Sequence, residues 1–82
     1  MSESEEQLTE RETEVLYYLT KSLTNKEIAI ILDVTHHTIK AHVSAILKKL
    51  QCKNRTNAAL YASKHMEIFD NFTIPHQDLK QP

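Results

Sequence analysis

Two helix-start signals follow each other closely in the middle of this sequence, at Thr24 and Thr35. A threonine directly before an apolar, helix-periodic run is a typical N-cap, and Glu27 three residues after Thr24 completes a capping-box pattern. The apolar pattern of the first of these helices ends near Asp33. Only Asp33 and Val34 therefore separate it from the cap of the next helix. Two helices joined by so tight a turn form a helix-turn-helix unit.

Two further helices are predicted to flank this pair. Thr9, with Glu12 three residues later, is the predicted cap of a first helix that ends at about Thr20. The helix after Thr35 continues to about Leu50, and either Asn54 or Thr56 caps a fourth helix that ends near His65. The chain contains no glycine and no strand-like alternation of apolar and polar residues. The predicted fold is therefore all-α, a four-helix bundle-like helix-turn-helix domain.

The 82 residues are enough for one domain. We expect an acidic tail over residues 1–7, the helix-turn-helix domain over residues 8–65, and an extension over residues 66–82. In the extension the helical signal weakens, although Ile68, Phe69 and Phe72 could continue the last helix or fold back onto the domain. After Pro75 the composition predicts disorder.

A strong charge asymmetry lies behind the net charge of -1. Residues 1–14 contain six glutamates and a single arginine, whereas residues 21–65 contain eight lysines and arginines against two acidic residues. A basic body of this kind suits a polyanionic partner. The alternative, an ordinary solvated surface, would distribute its charges more evenly.

The third helix has two chemically different faces when its residues are placed 100° apart. One arc is apolar and predicts the buried face: Ile39, Val43, Ile46, Leu47 and Leu50. The opposite arc has small or basic side chains: His37, Ala41, Ser44 and Lys48. Thr38 and Lys40 lie at its edges. Short side chains let a helix backbone approach base edges, and basic ones hold phosphates or reach guanine. An ordinary amphipathic helix would share this pattern, so the preceding short helix and tight turn supply the specificity.

Several blocks of residues, in the same order along the chain, resemble the LuxR-type helix-turn-helix, also called the NarL/FixJ type. The blocks are Leu8-Thr9-Glu10-Arg11-Glu12, Glu14-Val15-Leu16, Thr24-Asn25-Lys26-Glu27-Ile28-Ala29, Thr38-Ile39-Lys40-Ala41-His42-Val43, Lys49-Leu50 and Asn54-Arg55-Thr56-Asn57-Ala58. The resemblance covers about residues 8–65.

This resemblance implies the DNA-binding effector domain of a bacterial transcription regulator. It implies that the third helix enters the major groove of double-stranded DNA and that the fourth forms the contact of a homodimer. Base-reading positions are Lys40, Ala41 and Ser44, to which the outward arc adds His37. Positions at or beside phosphate contacts are Thr24, Asn25, Lys26, Thr35, Thr38, His42 and Lys48. Dimer-contact positions are Ala58, Leu60 and Tyr61. RNA polymerase is a further expected partner, and the expected location is the cytoplasm, at the bacterial nucleoid.

Two positions depart from the family pattern. Members usually have glycine at the ends of the first and third helices, where this chain has Ser22 and Gln51. Helix ends of this type favour a left-handed residue, so each replacement costs about 1 kcal/mol if that conformation is kept. Because Ala41 and Ser44 are short, target preference is expected to depend on DNA shape and on Lys40.

Other classes of function find less support. No nucleophile with a base, paired carboxylates or glycine-rich loop indicates an enzyme, and no cofactor is expected. The histidines at 36, 37 and 42 lack the i, i+4 spacing of helical metal ligands, so no metal site is predicted. The lone Cys52 is interpreted as a small packed residue. The sequence shows neither a membrane-spanning run nor an export signal, so no membrane partner is expected.

Two alternatives within reach of the same fold stay open. The first is a domain like the fourth region of sigma factors, which shares the helix-turn-helix but not the fourth helix that begins at residues 54–58. The second is a protein-interaction module that has lost DNA binding. The acidic N-terminus is compatible with the second alternative, whereas Lys26, Lys40 and Lys48 argue against it.

Overall fold

The computed structural model of the protein describes residues 7–70, and these residues form four α-helices and one short 3-10 helix. The α-helices are α1 (Glu10–Thr20), α2 (Asn25–Leu32), α3 (His36–Leu50) and α4 (Arg55–Lys64), and the 3-10 helix is Met66–Phe69. No strand occurs within residues 7–70. The predicted all-α, four-helix fold is therefore confirmed.

Each α-helix begins with a side-chain cap on the backbone N–H three residues further on. The cap acceptors and donors are Thr9 Oγ1 and Glu12 N at 3.0 Å, Thr24 Oγ1 and Glu27 N at 3.1 Å, Thr35 Oγ1 and Thr38 N at 3.2 Å, and Asn54 Oδ1 and Asn57 N at 2.9 Å. In α1 and α2 the glutamate accepts a bond from the cap N–H in return, which completes the predicted capping boxes. Of the two candidates for α4, Asn54 is the cap.

Three helix ends pass through the left-handed region without glycine. The residues with positive φ are Ser22 at 65°, Asp33 at 58° and Gln51 at 58°. At each end the following N–H group bonds back to a carbonyl of the last turn, for example Val34 N to Ala29 O at 3.0 Å and Cys52 N to Leu47 O at 2.9 Å. These bonds form Schellman-type ends, which satisfy carbonyls that the helix itself leaves without donors. The end at Asp33 produces the tight turn between α2 and α3.

The core lies where α1 contacts α3 and α4, and where α2 packs against α3. Its largest fully buried side chains are Val15, Leu16, Ile28, Ile39 and Ile46. Small residues of α4 complete the core, because Ala58 and Ala62 are both fully buried. Small side chains at these two positions allow α4 to approach α1 closely.

Tyr18 is buried at the edge of this core, and its hydroxyl has no hydrogen-bond partner. Burial, together with the charges of Glu14 and Tyr17, raises the pKa of Tyr18 to about 12. The ring of Tyr17 lies edge-on to Tyr18, with centroids 5.4 Å apart, and edge-on to Phe69 at 5.7 Å. The 3-10 helix therefore folds back onto α1, one of the two arrangements that the sequence allows for this part of the extension.

The sequence also predicts an acidic tail before the domain and a C-terminal extension after the 3-10 helix. The expectations for Phe72 and the chain after Pro75 lie outside the described residues, as do residues 1–6 of the tail.

Within residues 7–70, the helices are too short or too polar to cross a membrane.

An ion pair connects the beginning of α1 with the end of α3. Lys49 Nζ lies 2.8 Å from Glu12 Oε1 and 3.2 Å from the carbonyl oxygen of Gln7. Burial acts to raise the pKa of Glu12. The bond from Lys49, the backbone N–H of Thr9, and the positive charges of Lys49 and His42 outweigh it, so the pKa is lowered from 4.5. Because α3 carries the candidate binding surface, this pair helps to fix that surface relative to α1.

Candidate nucleic-acid interface

The outward arc of α3 is fully available at the surface. Thr38 and Lys40, at the edges of this arc, are exposed. The four residues of the arc itself are exposed as well: His37, Ala41, Ser44 and Lys48. We call these four residues the α3 stripe. The opposite face holds the helix in place, because Ile39 and Ile46 are fully buried and Val43 is nearly so. The stripe therefore stands on a rigid helix whose other side is anchored in the core.

The α3 stripe is chemically uneven along its length. Its middle, Ala41 and Ser44, has short side chains that leave the backbone open to close approach, whereas Lys48 adds a positive charge at one end. At the other end, His37 stacks on His36 with ring centroids 4.4 Å apart and planes 28° apart. Lys40 is the longest side chain beside the middle of the stripe. The backbone of such a helix can come close to the bases in a groove, but few of its side chains are long enough to hydrogen-bond to them.

The beginning of α2 offers hydrogen-bond donors. Thr24 Oγ1 accepts from Glu27 N, and its hydroxyl proton stays available for an outside acceptor. The backbone N–H groups of Asn25 and Lys26 lie in the first turn, where a helix provides no internal acceptor. Lys26 is exposed and adds an ammonium group. Donors and positive charge at a helix N-terminus are what a phosphate requires.

The beginning of α3 contributes a pair of hydroxyls. Thr35 Oγ1 and Thr38 Oγ1 lie 3.1 Å apart and share one hydrogen bond, in which either can donate. One hydroxyl proton of the pair is therefore left over for an outside acceptor. Both threonines are exposed, so this proton can point toward a ligand on the surface.

His42 differs from the other predicted phosphate positions. It is half-buried, and its positive charge contributes to the lowered pKa of Glu12. His42 thus interacts electrostatically with Glu12 at the beginning of α1.

The sequence analysis did not predict two long-range contacts near the candidate interface. Arg55 at the start of α4 donates from Nη1 to Asn25 Oδ1 at 2.6 Å and from Nη2 to the carbonyl oxygen of Leu23 at 2.8 Å. The other is the bond from Lys49 to Glu12, described above. Their partners lie 30, 32 and 37 positions away in the sequence. No local pattern announces such pairs, because they form only when the helices pack.

The candidate dimer helix presents only part of its predicted contact set. Leu60 and Tyr61 are 48% and 39% exposed, and the ring of Tyr61 lies 4.3 Å from that of His65. Ala58 is fully buried, so its side chain packs in the core and is not available to a second copy of the chain. Its burial corrects the assignment of Ala58 to the contact surface. A helix wheel drawn on α4 alone could not show this, because small residues mark both close packing and polar surfaces.

In the part of the chain that the structure describes, no three histidine, cysteine or acidic residues are grouped so that they could hold a metal ion. Cys52 is half-buried and packs against the core.

The geometry defines a class of protein. It is a four-helix helix-turn-helix domain with an exposed third helix and with hydrogen-bond donors at the beginnings of α2 and α3. The sequence model of the family described as "Bacterial regulatory proteins, luxR family" matches residues 6–62, which is more than half of the chain. The chain belongs to this family. The family consists of DNA-binding transcription regulators and is not a class of enzymes.

Individual relatives agree with this assignment. The chain is 48% identical over 60 residues to the response regulator protein VraR of Staphylococcus aureus, strain NCTC 8325. The same identity and length are found for VraR of Staphylococcus saprophyticus and of Staphylococcus epidermidis. In each case the match covers 73% of this chain but only 29% of the relative.

Proposed function

We propose that this domain binds double-stranded DNA sequence-specifically, with α3 in the major groove. The observation that carries the proposal is the α3 stripe. It is an exposed, basic surface with short side chains, on a helix that is anchored by buried Ile39 and Ile46. In this arrangement Lys40, Ala41, Ser44 and His37 face the bases. Because few of these side chains are long, DNA shape contributes to the choice of site together with Lys40.

Phosphate contacts hold the domain in register on the duplex. Thr24, Asn25 and Lys26 bind one phosphate from the beginning of α2, while Thr35 and Thr38 bind another from the beginning of α3. His42 lies beside the α3 stripe as a further contact position, and Lys48 adds positive charge at one end of the stripe. Contacts of this kind position the protein, and the base edges supply the sequence information.

Two copies bind together through α4, where Leu60 and Tyr61 form the contact. A symmetric dimer of helix-turn-helix domains reads two half-sites about one helical turn apart. The relatives are named response regulator proteins, which supports a role as the output domain of such a regulator. We further propose that the domain acts on RNA polymerase at the nucleoid in the bacterial cytoplasm.

An electrophoretic mobility shift titration tests the proposal. Duplexes are first selected from a random-sequence pool, and binding is then measured at several salt concentrations. We expect a shift at low salt and an affinity that falls linearly with salt on logarithmic axes, because each phosphate contact releases condensed counterions. A scrambled duplex of equal length is the control and should bind more weakly. No shift even at low salt would overturn the proposal and favour the protein-interaction module.

A further inference from the structure

Arg55 lies at the start of α4 but makes its hydrogen bonds to the beginning of α2. Its two terminal nitrogens form a fork: Nη1 donates to Asn25 Oδ1 at 2.6 Å and Nη2 donates to the Leu23 carbonyl at 2.8 Å. The side chain is half-buried, so the bonds form in partly desolvated surroundings, where they are stronger than on an open surface.

The first of these bonds decides which way the Asn25 amide faces. An asparagine side chain carries an acceptor oxygen and a donor NH2 group, and rotation exchanges the two. A guanidinium contains donors only. The oxygen of Asn25 must therefore face Arg55, and the NH2 group must point away from it. A phosphate offers acceptors only, so this orientation presents Asn25 to DNA as a donor.

The second bond holds the chain directly before the helix. Leu23 precedes the capping residue Thr24, and its carbonyl is attached to α4 through Arg55. The beginning of α2 is thereby fixed to the beginning of α4 as well as to the core. The N–H groups of Asn25 and Lys26 share this fixed position.

We propose that Arg55 is a positioning residue for DNA binding: it holds the Asn25 amide and the first turn of α2 in the orientation that donates to a backbone phosphate. The inference rests on the proposed DNA-binding function. It assigns to Arg55 no contact with DNA, and its effect on affinity passes through Asn25.

A double-mutant cycle tests the inference on the whole chain, with a selected duplex as the probe. The variants are Arg55→Met, Asn25→Ala and the two combined. We expect Arg55→Met to weaken binding about tenfold in the unmutated background, which corresponds to the loss of a well-placed hydrogen bond to a charged group. In the Asn25→Ala background the same change should weaken binding about twofold or less, because the orienting partner is already missing.

Salt dependence separates positioning from a direct phosphate contact by Arg55. An arginine that neutralised a phosphate would, when lost, reduce the steepness of the logarithmic salt plot by about 0.9. Because Asn25 is uncharged and Arg55 is assigned no contact with DNA, we expect Arg55→Met and Asn25→Ala to change the slope no more than the control does. A residue that only stabilised the fold would lower the melting temperature without weakening DNA binding by the folded protein. Lys53→Met is the matched control, since it removes one positive charge from an exposed position two residues away.

Arg55→Lys is a second variant that keeps the charge, in case Arg55→Met folds poorly. A lysine cannot reproduce the two-pronged donor, so we expect weaker binding in the unmutated background and no further loss in the Asn25→Ala background. Equal losses in both backgrounds would overturn the inference while leaving the proposed function intact. Failure of the unmutated chain to bind DNA would overturn the proposed function itself.

Discussion

At the scale of single residues, the left-handed helix ends stand out because none of the three uses glycine. Ser22, Asp33 and Gln51 keep a positive φ in which their Cβ atoms are crowded. The bonds that close the Schellman-type ends hold them there. Each of these helices therefore ends at a defined residue, although the positive φ there destabilises the fold locally.

Gln51 gives a direct measure of this cost. We expect Gln51→Gly to raise the free energy of unfolding by about 0.5–1 kcal/mol, because glycine adopts the left-handed conformation without crowding. Urea denaturation provides the measurement. Gln51→Ala is the control and should bring no gain, since it shortens the side chain but keeps Cβ. A loss of stability in Gln51→Gly would contradict the argument.

Lys40 is the residue at which binding and stability should separate most clearly. It is exposed, so Lys40→Ala should leave the melting temperature nearly unchanged while it weakens binding to a selected duplex about tenfold or more. The comparison uses one protein preparation for thermal denaturation and for the mobility shift. Lys53→Ala, at an exposed position outside α3, controls for charge alone. Equal losses of stability and binding would count against a base-reading role.

At the scale of the helices, each start is determined by its cap. Thr35 Oγ1 accepts the Thr38 N–H at 3.2 Å and opens the helix that carries the α3 stripe. We expect Thr35→Ala to lower the free energy of unfolding by about 1 kcal/mol. Chemical denaturation measures the change, and Thr35→Asn, which keeps a capping oxygen, should lose far less. A Thr35→Ala protein as stable as the parent would show that the cap contributes little.

The Lys49–Glu12 pair joins two helices and makes stability depend on pH. Glu12 has a lower pKa in the folded protein than its ordinary value of 4.5. In acid the unfolded chain therefore binds the proton first. The stabilisation is complete above the ordinary pKa and is lost as the pH falls through the lower folded value.

Lys49→Met should remove most of this contribution. We expect it to lower the free energy of unfolding at neutral pH by about 1–3 kcal/mol and to flatten the loss of stability in acid. Urea titrations between about pH 7 and about pH 3 provide the curve. Lys48→Met is the matched control, because Lys48 is exposed on the neighbouring position. An unchanged acid limb in Lys49→Met would refute the assignment.

At the scale of the whole molecule, the exposed side of α4 bears on how two copies assemble on DNA. Leu60 is 48% exposed on the outer side of α4. We expect Leu60→Gln to weaken binding to a duplex with two half-sites about tenfold, because burial of a leucine at an interface is lost. Binding to a single half-site should not change. Ile30→Gln, at an apolar position of α2 that is 79% exposed, is the control. Equal effects on both duplexes would argue against a contact through α4.

Much of the fold could be predicted from the sequence, because its decisive signals are local. The caps at Thr9, Thr24 and Thr35 each act over three residues, and the periodicity of α3 identifies both its buried face and its stripe. Such features depend on the helix alone and not on its neighbours. The same holds for the donors at the beginning of α2.

Tertiary packing decided the remaining features. It buries Ala58, and it brings Arg55 to Asn25 across 30 positions of the sequence and Lys49 to Glu12 across 37. No local rule orders these pairs, since their distances are set by how α1, α3 and α4 pack together. Local signals in the sequence are enough to predict which helix faces outward and which side chains it exposes. The way in which that helix and the start of α2 are held in place depends on tertiary packing, because long-range contacts exist only once the core has formed.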